Sequence, residues 1–211
     1  MLELVIFDAD GVLFDSTESN TAYYNAIFAA IGEPPMNPAE EQAGVFMAAA
    51  QVFAIRAAGA EDKVARMREI ARTMDSSRFF TLLRPPPRLR EILLDLKRSY
   101  RLGLATNRSA TIPAIVDYLG LEGLFDAIAS ARDPVRPKPA PDILALCLER
   151  ARVKPGRAVY VGDSDTDRIA ALAAGTHFVG LGERAPHHHW IAALDELPRK
   201  LGQIFGSRQA E

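Results

Sequence analysis

Apolar positions along this chain of 211 residues follow two distinct rhythms. Five short runs, Leu4–Phe7, Leu102–Ala105, Ala127–Ala129, Ala158–Val161 and Phe178–Leu181, are continuous and rich in Val, Ile and Leu. They are too short for helices, and their lack of alternation predicts strands covered on both faces, as in a parallel sheet. Elsewhere the spacing is helical. Leu89, Ile92, Leu93 and Leu96 share one face, as do Ile112, Ile115, Val116 and Leu119. Ile143, Leu144, Leu146, Cys147 and Leu148 cover the wider arc of a helix pressed onto a sheet, and Asp165–Ala174 is alanine-rich and stops at Gly175. Strand alternating with helix from about residue 88 onward predicts a doubly wound α/β sheet.

Residues 16–83 break that rhythm. They hold no convincing strand but have helical segments at Asn20–Ile31, Ala39–Ala58 and Glu61–Met74, punctuated by Pro34, Pro35, Pro38 and Gly59. Pro85-Pro86-Pro87 marks a stiff return, with Pro87 placed to open the next helix. The expected organisation is a core of residues 1–15 and 84–211 with an α-helical insertion at 16–83.

Composition narrows the class. With 48% apolar and 25% charged residues the chain is an ordinary globular one, long enough to bury a core without staples. A net charge of −2 argues against nucleic-acid binding by bulk charge. The single cysteine, Cys147, excludes an intramolecular disulfide and a thiolate metal cage, and its leucine neighbours make it a core residue. No basic start with an apolar run opens the chain, and no stretch approaches the ~20 apolar residues that span a bilayer, so the expectation is a cytoplasmic protein without a membrane partner.

The candidate chemistry lies where the strands end. The first runs into Asp8-Ala9-Asp10-Gly11, the second into Thr106-Asn107-Arg108-Ser109, and the fourth into Gly162-Asp163-Ser164-Asp165-Thr166-Asp167; after the third comes Arg136-Pro137-Lys138-Pro139. Each has a bland reading: a turn at Asp10-Gly11, a helix cap at Thr106 or Asp165, a solvated loop lysine at Lys138. Open α/β sheets, however, bind ligands outside the carboxyl ends of their strands, which would bring Asp8, Asp10, Asp163 and Asp167 together against Lys138 alone. Close carboxylates repel by several kcal/mol at an effective dielectric near ~20, so a compensating ion is expected. An all-oxygen donor set suits a hard cation, Mg²⁺ ahead of Ca²⁺, and a hydroxyl and a lysine beside it suit phosphoryl transfer.

These segments resemble, in order, the four motifs of the haloacid dehalogenase (HAD) superfamily: Asp8 through Ser16, Thr106-Asn107, Lys138, and Gly162 through Asp167. The run from Asp163 to Gly175 is similar to its phosphoglycolate phosphatase-like branch. The resemblance implies a Rossmann-like core with a C1-type cap. It implies Asp8 as nucleophile, Asp10 as acid and then base, and Lys138 steadying the charge. Thr106, Asn107, Gly11 and Lys138 would bind the phosphoryl group. Asp8, Asp163 and the Asp10 main-chain carbonyl would hold Mg²⁺, with Asp167 and Ser164 in support. The second aspartate disfavours a dehalogenase.

The expected activity is Mg²⁺-dependent hydrolysis of a small phosphorylated metabolite, phosphoglycolate-like, by a monomer or homodimer. A phosphomutase of the β-phosphoglucomutase type and a non-catalytic phosphate-sensing protein are the alternatives. Within the cap, Tyr23, Tyr24, Gln51 and Arg56 can face a pocket or simply serve as cap core and surface. His187-His188-His189 reads as an exposed loop, since three consecutive side chains cannot face one ion, and Trp190 reads as packing a late helix against the sheet.

Overall fold

The computed structural model describes residues 1–44, 47, 49–108, 111–182 and 189–206. The chain divides into two compact units, Met1–Phe14 with Pro85–Glu211, and Asp15–Arg84. The first is built from β1 (Leu4–Phe7), β2 (Arg101–Thr106), β3 (Ala127–Ser130), β4 (Ala158–Gly162), β5 (His177–Leu181) and β6 (Trp190–Ile191). They form one parallel sheet in the order β3-β2-β1-β4-β5-β6. This is the doubly wound α/β fold that the apolar runs predict.

Two-sided burial explains why the strands lack alternation. All four residues of β1 are fully buried, and Leu4 and Ile6 share a cluster with Tyr160, with Ile143, Leu144, Cys147 and Leu148 of one helix and with Ala170 and Ala171 of another. These helices run Asp142–Ala151 and Asp165–Ala174, and this unit also has α-helices at Leu89–Lys97, Ile112–Tyr118 and Leu197–Phe205. Close approach of helix to sheet depends on Gly103: a Cβ there would stand 2.8 Å from the Cys147 sulfur and 3.2 Å from Ile6.

The order of pairing sets up the site. β1 lies between β2 and β4, strands that come much later in the chain, and Phe7 is level with both Leu104 and Val161. Asp8 and Asp163, just beyond β1 and β4, and Thr106, the last residue of β2, therefore emerge at one edge. That edge is the topological switch point of the sheet.

Three local expectations are corrected. The helix after the prolines starts at Leu89, not at Pro87, because Arg88 adopts a left-handed turn (φ 59°) ahead of it. Trp190 sits in a sixth strand at the sheet edge and is 48% exposed. Two residues gave too short an apolar run to read as a strand. The helix opening at Asp165 is capped by Ser164 instead of Asp165. His187 and His188 lie outside the described residues, whereas the His189 carbonyl accepts from Gly180 N.

In the second unit the helices are Thr17–Ala30, Pro38–Gly44, Ala49–Ala57 and Glu61–Thr73, followed by a 3₁₀ segment at Ser76–Leu82. The continuous helix expected over Ala39–Ala58 is thus two; the first ends at Gly44, a poor helix former whose missing Cβ lets Met36 and Tyr24 pack close. Tyr24, Ile27, Phe28, Met36, Val52, Phe53, Ala57 and Met67 make this unit's own core. Arg56 is folded into it, stacked 4.1 Å over Phe28 and paired to Glu40 at 2.8 Å. Gln51 is exposed and Tyr23 packs edge-on against Phe79. The two ends of the unit meet: Asp15 N donates to Arg84 O and Arg84 N to Asp15 O, each at 2.9 Å. Among the described residues no helix is long and apolar enough to cross a membrane.

Gly103→Ala should destabilise the first unit by about 1–3 kcal/mol through overpacking. Adding Cys147→Ala should recover part of that loss, which denaturant titration of the single and double variants would measure as a coupling.

Candidate active site

Lys138 is the centre of the strand-end cluster. Although only 6% exposed, it carries its charge among oxygens. Its Nζ donates to Asp167 Oδ1 at 2.6 Å and to the Tyr160 hydroxyl at 2.7 Å, and lies 2.7 Å from Asp8 Oδ1. Burial alone would lower its pKa; Asp167 and then Asp8 outweigh that and hold it well above the ordinary lysine range. The position is fixed through the main chain, since the Asn107 side chain accepts from Lys138 N (2.8 Å) and donates to Lys138 O (3.1 Å). Asn107 thus ties the end of β2 to the lysine loop.

Asp167 is saturated. Its Oδ1 takes Lys138 with the Tyr160 hydroxyl at 3.1 Å, and its Oδ2 accepts from Ser164 Oγ at 2.6 Å and Ser164 N at 3.2 Å. Burial would raise its pKa, but Lys138 and these donors bring it below the usual carboxylate value. The exchange between Ser164 and Asp167 is also the capping box of the helix at Asp165–Ala174, so cap and lysine support are one structure. Gly162 makes room for it, for a Cβ there would sit 2.4 Å from the Asp167 Cβ.

Asp8 and Asp163 are in the opposite condition. Ligand oxygens of Asp8, Asp163 and Asp167 lie within 4.8 Å of one another. The buried Asp8 Oδ1 is at ion-pair distance from Lys138 yet lacks an aligned hydrogen bond. Burial pushes the Asp8 carboxyl up to about 8, with Lys138 opposing and Asp167 and Asp10 adding to the rise. Burial, then Asp167, pushes Asp163 up to about 7 against the pull of Lys138. With Asp167 spent on Lys138, Asp8 and Asp163 are two carboxyls whose charge one lysine leaves uncompensated. An all-oxygen set in that state fits a hard divalent cation. Gly11 keeps the approach open: at φ 77°, a Cβ there would stand 2.1 Å from Asp163 Oδ2.

Thr106, at the end of β2, is buried, and its Oγ1 accepts from Arg108 N at 3.1 Å. Asp10 is held by Arg108, whose Nε and one Nη donate to its two carboxylate oxygens at 3.0 and 2.6 Å. The structure therefore brings Asp8, Asp163, Asp167, Ser164, Lys138 and Asn107 to one strand edge, with Gly11 against Asp163. Sequence reasoning missed two residues. Tyr160 was hidden as an aromatic in an apolar strand; its clue was a hydroxyl that burial obliges to find a partner. Arg108 stood beside Thr106-Asn107 in plain view, but no spacing rule links it to Asp10.

A family model for haloacid dehalogenase-like hydrolases matches residues 5–181. A phosphoglycolate phosphatase of Cereibacter sphaeroides is 30% identical over 223 residues, covering 95% of this chain and 98% of that protein. A HAD-superfamily hydrolase of subfamily IA from Geobacter sulfurreducens is 30% identical, with a TM-score of 0.78 over 95% of this chain and 97% of that one. The β-phosphoglucomutase of Clostridium difficile, 18% identical, shares the fold with a TM-score of 0.78 over 96% of this chain and 98% of that one.

Raised carboxyls bind protons in the folded state that the unfolded chain has lost, so their stabilising contribution disappears as pH climbs through the folded values. Without metal, the melting temperature should therefore fall from about pH 4, where the unfolded carboxyls lose their protons, to about pH 8, where folded Asp8 has lost its own, and level off above. Asp167, shifted down, loses its contribution only in acid. Millimolar Mg²⁺ should flatten the fall; parallel melts in EDTA and Mg²⁺ check both.

Proposed function

The chain belongs to the haloacid dehalogenase-like hydrolases, and we propose that it is a Mg²⁺-dependent phosphatase of small phosphorylated metabolites, phosphoglycolate first among them, acting through an aspartyl-phosphate. The observation that carries this reading is the buried Asp8 carboxyl beside Lys138 and Asp163 at the open end of the central strand. A nucleophile needs a charge partner that holds it without consuming it, and Lys138, anchored on Asp167 and Tyr160, is such a partner.

An Asp8 oxygen forms a bond to phosphorus as the bond from phosphorus to the leaving oxygen breaks, and Asp10 gives that oxygen its proton. Asp10 then takes a proton from water as the water oxygen bonds to phosphorus. The Asp8–phosphorus bond breaks, inorganic phosphate leaves, and Asp8 returns as carboxylate. Lys138 and Thr106 neutralise and orient the phosphoryl oxygens, with Asn107 positioning Lys138. Asp8, Asp163 and the Asp10 main-chain carbonyl would hold the Mg²⁺, whose contribution is to offset phosphoryl charge. The phosphoglycolate preference is supported by the Cereibacter relative at 30% identity.

Asp8→Asn should abolish phosphate release while leaving the far-ultraviolet circular dichroism unchanged, and EDTA should silence the native enzyme reversibly. A panel of phosphomonoesters assayed for free phosphate checks this. Little phosphate, with isomerised sugar phosphate formed only after addition of a bisphosphate, would replace hydrolysis by a mutase.

A further inference from the structure

Asp10 is not presented to a substrate in this structure. Both of its oxygens accept from Arg108, Nε at 3.0 Å and Nη at 2.6 Å, while the second Nη lies 3.4 Å from the Thr111 hydroxyl. The Phe14 ring lies beneath, 5.6 Å from the guanidinium carbon to the ring centroid. With side chains only 15% and 19% exposed, this is a bidentate, partly desolvated pair, the strongest kind of side-chain hydrogen bonding.

A residue that moves a proton must come within about 2.6–3.2 Å of it. With each oxygen turned to a guanidinium N–H, Asp10 has to leave this fork to meet a leaving-group oxygen or a water. Leaving breaks two charged hydrogen bonds of a largely buried guanidinium, a loss that another anion at Arg108 would offset. In the proposed reaction the transferred phosphoryl group is engaged by Thr106, Lys138 and Mg²⁺. An anion that offsets the loss would therefore sit at the other end of the substrate.

We propose that Arg108 binds a second anionic group, carboxylate or phosphate, on the leaving-group side of the substrate, and that this exchange releases Asp10 for proton transfer. Resting as it does on the phosphatase reading, the inference makes Arg108 a specificity-determining residue. The favoured substrates are phosphomonoesters of short acids or of second phosphates, in preference to those of neutral alcohols. An anion that draws Arg108 away also places Asp10 at the leaving oxygen, so its effect falls on kcat as well as KM.

The test compares 2-phosphoglycolate, ethylene glycol bisphosphate and 2-hydroxyethyl phosphate with Mg²⁺, in the native enzyme and in Arg108→Ala, Arg108→Gln and Arg108→Lys. The first two esters separate a carboxylate from a phosphate as the recognised anion. The native enzyme should prefer at least one anionic ester over the neutral one by ~10- to 100-fold in kcat/KM, the range of a charged hydrogen bond. Arg108→Ala and Arg108→Gln should cut that ratio at least tenfold, with part of the loss in kcat. Arg108→Lys, a charge without the fork, should fall between. Should Arg108→Ala fail to fold, the near-isosteric Gln variant decides. Equal losses on all three esters, or a native enzyme blind to the second anion, would overturn the proposal while leaving the phosphatase intact. No phosphate from any ester would overturn both.

Discussion

A buried ammonium among carboxylates governs this site. Lys138 reaches Asp167, Tyr160 and Asp8 within 2.6–2.7 Å, inside a region where a bare charge of either sign would be unstable. One lysine can neutralise one aspartate fully, and the hydrogen bonds from Ser164 and Lys138 show that this aspartate is Asp167. Asp8 and Asp163 are left short of positive charge, which is why burial raises both. That shortfall is a demand for a cation, created by the protein alone. The reactivity proposed for Asp8 and the affinity proposed for a metal would thus share one cause.

The sheet makes this arrangement inexpensive to hold. A parallel strand emerges from the core with the residue at its end still held by the ladder, as Asp8 N is by Val161 O at 2.9 Å. Placing β1 between β2 and β4 puts the aspartates of two distant segments level without any loop having to position them. Two close approaches then depend on an absent side chain, at Gly11 against Asp163 and at Gly162 against Asp167.

Much of this was legible in the amino-acid order. Strands buried on both faces betray themselves as continuous apolar runs, and polar residues immediately after such runs fall at the ligand-binding edge by the logic of the fold. Asp8, Thr106 and Asp163 could be selected in that way, and Lys138 from the loop that follows the third run. What stayed hidden depends on side chains reaching across strands. The Tyr160 hydroxyl bonds to Lys138, and Arg108 crosses to Asp10, 98 positions earlier in the chain, with no local pattern to record either. The split of the second unit's central helix at Gly44 escaped for the same reason, since it depends on packing against Met36 and Tyr24. Trp190 was misplaced because a two-residue edge strand leaves no periodic trace.

The reciprocal pairing of Asp15 with Arg84 has an evolutionary reach of its own. Seventy residues depart and return through adjoining backbone positions, so to the sheet they amount to a short closed excursion. Loop-closure entropy grows only logarithmically with length, about 0.6 kcal/mol per doubling. Helices can be gained, lost or exchanged inside that excursion with little thermodynamic consequence for the strands. Such a junction lets the excursion be rebuilt over generations while the strands keep their register.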